Sequence, residues 1–517
     1  MEKYLALIGL LACSTLHANN IQVSTPTLEN NTGTTVDIRF DASWENSWRG
    51  GPVVNWDAAW IFAKVRLSSG VWQHVRLEAT GHSAPTGTQI DVGLVSPGST
   101  YNSSTNPVVG VYLLRNAISY GSLTATGVQL RWNYVAQGIG ALNDVTELRV
   151  FAIEMVYVNQ GAFAMGVTGL GAVYSHPTNS DPYTVTSEAA INVGTTAGYL
   201  YYAEGGGSSG DRGGPVPAAF PKGFNAFYCM KYEVSQQGYV DFLNTLTYTR
   251  QVTRTATPPS SAAGTGALIS TNADRNGIDV STPGVNPGTA AVYACNLNGN
   301  GVYGEADDGK DIACNHLSIF DLWAYLDWCA LRPMTELEFE KACRGPLAPV
   351  ANEYPWGTGV ATTGYSLANA GTANEGIATQ YSSTVGNVVW DNTSVNFDGP
   401  LRVGAFAANA GNTGRVSSGG SYYGIMELAG NVNERAITIG DLSGRAYTGT
   451  HGNGELANNG NADPATWSAA TAATGYRGGG WDNFAAGRMQ TSDRGLVTYV
   501  RLDRYVDSGG RGVRTAP

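Results

Sequence analysis

Charge is scarce in this sequence. Only 14% of its 517 residues are Asp, Glu, Lys or Arg, and 41 acids against 30 bases leave a net charge of -11. Lysine is nearly missing, with six residues beside 24 arginines. A chain of that kind carries no polybasic face, which excludes a nucleic-acid binder as the default reading. The six histidines, His17, His74, His82, His176, His316 and His451, are scattered, so none falls in the spacing of a helical histidine metal site. Beyond the N-terminus no run approaches the ~18 apolar residues that cross a bilayer, and no transmembrane helix is expected. What is abundant is glycine, at 67 residues, together with Asn, Thr and Ser, on a background of 43% hydrophobic and 10% aromatic residues. That mixture gives a folded, loop-rich chain with many strands, neither a helical bundle nor a disordered polymer.

Residues 1–18 read as an export signal. Lys3 precedes the apolar run Tyr4 to Cys13, and Ser14-Thr15-Leu16-His17-Ala18 ends on a small residue at the cleavage point. A rival reading takes Leu11-Ala12-Cys13 as a lipoprotein site with Cys13 lipidated. Both place the protein outside the cytoplasmic membrane, secreted or at the cell surface. Five cysteines remain: Cys229, Cys295, Cys314, Cys329 and Cys343. An oxidising compartment favours pairing. Cys295 and Cys314 flank a Gly- and Asp-rich loop, where a bridge would restrain the unfolded chain by about 3 kcal/mol.

The chain divides into two parts by pattern. Over residues 19–150, period-two alternation predicts strands at Thr35–Phe40, Ala59–Val65, Val71–Leu77, Thr88–Val95, Val108–Leu114, Gly127–Trp132 and Glu147–Val158. Seven short strands suggest a β-sandwich accessory domain, with Trp44, Trp48, Trp56 and Trp60 as core or, alternatively, as a carbohydrate platform. Over residues 151–517 the overall class is α+β. Val167 to Phe220, including Glu204 to Gly210, reads as loop, and helices are predicted at Ser235–Leu246, Ser318–Cys329 and Thr335–Ala342. Thr335 with Glu338 three residues on is a capping box. After Gly345 the chain is turn-dense.

Seven segments in order carry a resemblance. They are Met155–Val158 with Gly161–Gly166; Phe227-Tyr228-Cys229-Met230-Lys231-Tyr232-Glu233; Leu331-Arg332-Pro333-Met334-Thr335-Glu336-Leu337-Glu338; Tyr354-Pro355-Trp356-Gly357; Gly424 to Glu434; Arg477-Gly478-Gly479-Gly480-Trp481; and Gly510-Arg511-Gly512-Val513-Arg514. Over about residues 151–517 the chain resembles the formylglycine-generating enzyme, or sulfatase-modifying factor, family. That resemblance implies a variant of the C-type lectin fold with two main helices and long ordered loops. It also implies an oxidase centre in which two cysteines bind copper(I) shortly after the Gly-Gly turn. Here those two positions hold Asn483 and Arg488, and an amide and a guanidinium cannot replace soft thiolates. Copper is therefore not expected.

Calcium is the cofactor that the resemblance does imply. One site would use Asn369, the Ala370 carbonyl, Asp398 and the Pro400 carbonyl. A second would use Glu427, the Gly430 and Val432 carbonyls and Glu434. The residues themselves also suit turn capping without metal. Independently of the family, Asn296, Asn298, Asn300 and Asp307 fall at the first, third, fifth and twelfth places of an EF-hand-like loop, otherwise an Asn/Gly hairpin.

The functional expectation is an exported, non-catalytic binding or assembly protein. Its ligand, a protein or a glycan outside the cell, would meet the turn-rich region Ser443 to Tyr505, with Trp481, Asn483, Arg488 and Asp493 as contacts. Arg477, Arg488, Asp493, Arg494 and Arg501 could line a ligand surface, with salt-bridged scaffolding the expected role for most of them. The alternatives are a formylglycine-generating oxidoreductase acting on protein cysteine, a self-assembling filament or surface-layer subunit, and a binding protein diversified near its C-terminus.

Overall fold

Alternating burial explains the longest strands. In Val36–Arg49, the side chains of Val36, Ile38, Phe40, Ala42 and Trp44 are buried while Arg39 and Asp41 are exposed. This strand carries Gln22–Val23 and Thr27–Glu29 on one edge and Ser119–Trp132 on the other, all antiparallel. It runs well past the expected Phe40, because Ala42 and Trp44 keep the inward phase across a bulge. The computed structural model describes residues 20–50, 54–167, 182–202, 211, 213–362, 364–390, 397–468, 472–483, 485–499 and 501–517. The expected export signal, Cys13 and the whole of Glu204–Gly210 lie outside these residues.

The second sheet has the order Val513–Thr515, Phe227–Met230, Val145–Val158, Asp57–Leu67, Val108–Arg115, Thr88–Leu94, with Trp72–His74 paired to Asp57–Leu67. Asp57–Leu67 is buried almost throughout, and period two says why. Ala59, Ile61, Ala63 and Val65 enter one core with Ile38, Trp44, Leu130 and Trp132 of the first sheet. Ala58, Trp60 and Phe62 point the other way, into a core with helical residues Leu322, Leu326 and Trp328. Trp60 Nε1 reaches the Cys329 carbonyl at 2.8 Å. The step from residue 150 to 151 falls within Val145–Val158, which pairs with Asp57–Leu67 on one side and Phe227–Met230 on the other.

Among the described residues the chain is mostly sheet with five α-helices. Three occupy the predicted places. Gln236–Leu243 is capped by Ser235, whose Oγ accepts from Gly238 N at 3.1 Å. Ile319–Trp328 and Glu336–Arg344 each open on a capping box, Ser318 with Asp321 and Thr335 with Glu338. Tyr248–Arg254 and Leu442–Arg445 were not anticipated. Tyr248–Arg254 is polar in composition, but Gln251 is buried and satisfied by the Leu243 carbonyl at 3.1 Å and the Ala291 backbone at 2.8 and 2.9 Å.

The arginine excess has a structural cause. Glu336, with no solvent exposure, receives Arg494 at 2.8 and 3.1 Å and lies 3.4 Å from Arg477. One helical turn on, Glu340 takes Arg344 at 3.0 Å. Arg332 forks onto Glu338 at 2.9 and 2.6 Å, and Arg511 bonds Glu434 at 2.5 Å. Planar guanidinium forks satisfy buried carboxylates on two oxygens, which an ammonium cannot do. Arg477 and Arg494 are thus scaffolding.

The expected Cys295–Cys314 bridge does not form. All five described cysteines are buried free thiols. Cys295 and Cys314 lie in the same apolar core as Leu317 and Ile319, and the loop between them is closed instead by amide-to-carboxylate bonds. Burial pushes the Cys229 thiol up to about 12 and those of Cys314 and Cys343 well above the ordinary value.

Candidate functional site

The strand pair Glu434–Ile437 and Thr474–Arg477 ends at a glycine turn, Gly478-Gly479-Gly480, followed by the short 3-10 helix Ala486–Met489. Gly478 and Gly479 adopt positive φ (79° and 69°), and a Cβ on Gly480 would sit 2.8 Å from Asp507 Cβ. The turn therefore folds tightly under a cavity of about 360 Å³ lined in part by Tyr476, Asn483, Arg488, Tyr499, Arg501 and Asp507. Three tyrosines, two arginines, two carboxylates and two amides surround it, a wall that can donate and accept hydrogen bonds and stack on flat groups.

Asn483 donates to Asp507 Oδ2 at 2.7 Å. Burial, with the charge of Asp482 adding to it, raises the Asp507 carboxyl to about 6. Arg501 stacks 3.4 Å above the Tyr505 ring. Behind the wall, fully buried Arg435 donates to the Tyr476 hydroxyl at 2.6 Å and to the Arg501 carbonyl at 2.9 Å. Arg488 Nη1 lies 3.3 Å from Asp493 Oδ1. A Cβ on Gly495 would fall 1.3 Å from that same nitrogen, so only glycine leaves room for the guanidinium.

Of the four expected contacts, Asn483 and Arg488 line the cavity and Asp493 orients Arg488. Trp481 does not face it. Its ring is 2% exposed, its indole donates to the Val506 carbonyl at 3.0 Å, and it packs with Tyr365, Leu401 and Phe406. Sequence reasoning missed Tyr476, Tyr499, Tyr505 and Asp507, which sequence spacing places apart and folding brings together. Arg501, for which both scaffolding and a ligand surface were open, is on the wall.

The groups suggested for calcium fare unequally. At the second site, Glu427 Oε1 accepts from Gly404 N at 2.8 Å and Glu434 Oε1 from Arg511, while Glu427 Oε2 and Glu434 Oε2 are buried without a hydrogen-bond partner among the described residues. Burial raises Glu427 to about 7 and shifts Glu434 upward. Gly430 (φ 71°) turns the chain so closely that a Cβ would lie 2.2 Å from the Val389 carbonyl. Unsatisfied hard oxygens in a dry turn fit a calcium ion. At the first site, Asn369, Ala370 and Asp398 are exposed and the Pro400 carbonyl already accepts from Arg275 at 2.7 Å. In the 296–307 loop, Asn296 donates to Asp279 at 2.8 Å and Asn298 to Asp307 at 2.9 Å. The carboxylates that converge there are Glu305, Asp307 and Asp308, within 4.8 Å of one another.

A larger open cleft of about 1130 Å³ runs beside Trp56, Gln89, Asp91, Tyr157 and Tyr228. Its tryptophan already stacks on Tyr157 at 4.0 Å and carries Arg49 over its ring at 4.8 Å. Trp44 and Trp60 are core. The smaller cavity is the one that holds Asn483 and Arg488. Compared with known families, residues 144–495 match the model of the sulfatase-modifying factor enzyme 1-like domain. No curated protein matches the chain.

Proposed function

Because the chain belongs to the sulfatase-modifying factor enzyme 1-like family, we propose that it is an exported, non-catalytic binding or assembly protein in which the family's oxidase centre has become a ligand pocket. The single observation that supports this is the pair Asn483 and Arg488. The positions that would carry the copper-binding thiolates hold an amide tied to Asp507 and a guanidinium seated on Gly495. Neither side chain is a soft ligand, and no cysteine follows Cys343. What remains is a rigid frame with a polar, aromatic cavity, which suits a flat or hydroxyl-rich ligand such as a peptide segment or a glycan.

On this reading residues 19–150 are a β-sandwich accessory module, residues 151–517 are a lectin-like variant, residues 1–18 are a removed signal, and calcium at Glu427 and Glu434 stiffens the turn beneath the pocket. When bound, the ion would supply only fixed positive charge. Glu427 and Glu434 hold it, and Asn431 keeps the turn closed by donating to Glu233 at 2.6 Å.

Purified mature chain applied to glycan and peptide arrays tests the pocket. Asn483→Ala and Arg488→Ala should each abolish the signal that wild type gives, with the thermal midpoint of Arg488→Ala close to that of wild type. Retained binding in both would reject the pocket. Oxygen uptake with copper and a cysteine-containing peptide should equal that of the protein-free control, and turnover above it would restore the oxidoreductase reading. Light scattering with and without calcium separates a monomer from a self-assembling subunit.

A further inference from the structure

Asn272, Asp274 and Arg275 all adopt left-handed φ (59°, 49° and 57°), a run that no glycine relieves. What the strained segment delivers is one side chain. Arg275 Nη1 donates to the Pro400 carbonyl at 2.7 Å and to Glu375 Oε1 at 3.3 Å, and Nη2 pairs with Glu375 Oε2. Glu375 is fully buried and also accepts from Gly371 N at 2.7 Å and Arg402 N at 2.9 Å. Gly399 (φ 137°) lets the two segments touch, since a Cβ there would lie 2.4 Å from the Asp274 carbonyl.

The guanidinium thus holds together the segment 369–375 and the segment 399–402. This is where the family resemblance places a calcium ion, between Asn369, Ala370, Asp398 and Pro400. Those residues do not fit the ion here. Asn369 donates its amide to the Asn374 carbonyl at 3.3 Å, Asp398 is exposed, and the Pro400 oxygen is taken. Glu427 and Glu434 each keep an unpartnered oxygen beside Arg511, whereas both Glu375 oxygens are taken. A dication at the Pro400 oxygen would therefore meet the Arg275 charge with no spare buried carboxylate there among the described residues. A calcium ion needs six or so converging oxygens, whereas a planar fork needs one carboxylate and one carbonyl, which is what Glu375 and Pro400 supply.

We propose that Arg275 is a built-in cation that replaces the calcium ion at this turn, so that the 369–402 region is ordered without metal. The calcium counted per full mature chain, by equilibrium dialysis against calcium followed by metal analysis, tests it. Asp398→Asn should bind the same number of calcium ions as wild type, and a loss of one overturns the proposal. Arg275→Ala should bind one more than wild type and, in chelator, melt at lower temperature. An unchanged count together with a wild-type melting midpoint also overturns it. If Arg275→Ala does not fold, the Asp398→Asn comparison alone decides. Glu427→Gln reports separately on the other turn: a count unchanged there rejects only the calcium proposed at Glu427 and Glu434.

Discussion

Asn483 donates its side-chain amide to Asp507 across 2.7 Å on the wall of the pocket, and that carboxyl is 6% exposed. On the proposed reading, the position of one family cysteine is half of a hydrogen-bonded pair.

A pH dependence follows from Asp507. Its folded value of about 6 lies above the ordinary 3.8. The two states bind protons equally below the lower figure, and the folded state loses stability as pH rises through the higher one. Asp507→Asn removes that penalty, so it should gain stability over wild type at pH 8 by at most about 3 kcal/mol, at 1.36 kcal/mol per unit. The gain should shrink toward pH 4. Denaturation curves at both pH values check it, and an equal difference at the two would refute it.

The buried pair Glu336 and Arg494 should tolerate no single replacement. Arg494→Ala leaves Glu336 with Arg477 at 3.4 Å as its remaining charge partner, and breaking such a pair costs about 3–5 kcal/mol. Arg494→Lys should recover only part of this, because an ammonium cannot fork onto both oxygens. Urea midpoints of the two variants measure the difference.

Trp481 and Arg488 should separate stability from binding. Trp481→Ala opens a cavity among Tyr365, Leu401 and Phe406 and should cost about 3–5 kcal/mol. Arg488→Ala removes a partly exposed side chain and a pair of the surface kind, worth about 0–1 kcal/mol, while abolishing ligand capture. Thermal melts beside array binding distinguish the two outcomes.

The five described cysteines should all alkylate in denaturant without reductant, and none should react in the native state, because each is buried. Intact-mass shifts count them. Two additions fewer in denaturant would reinstate a disulfide.

What was legible in the sequence was local. Ser235, Ser318 and Thr335 announce their helices because a cap acts on amides three residues away. The alternation of Asp57–Leu67 marks a strand, yet not that its two faces serve two different cores, since that depends on which segments arrive from residues 36–44 and 322–328. Tyr248–Arg254 was missed because its polar residues are satisfied by distant backbone. At the site, Asn483 and Arg488 were singled out by the family resemblance, which implies two cysteines shortly after the Gly-Gly turn. Asp507 and Tyr499 had no such marker, because folding and not spacing puts them beside Asn483. Arg275 lies about a hundred residues from Glu375 and in a loop, where no periodicity singles it out. The disulfide expectation failed for a related reason: flanking a loop says nothing about whether two thiols point into an apolar core.

The strand Val145–Val158 is hydrogen-bonded along eleven aligned residues to Asp57–Leu67 and along four to Phe227–Met230. A beam joined so continuously has no hinge at its midpoint. Whatever fastens the N-terminal part to a surface therefore fixes the attitude of the far end as well, so the Tyr476 cavity would face its surroundings at one set angle, like a lamp on a rigid bracket. Exchanging the front module for another would mean re-matching that whole seam, residue by residue.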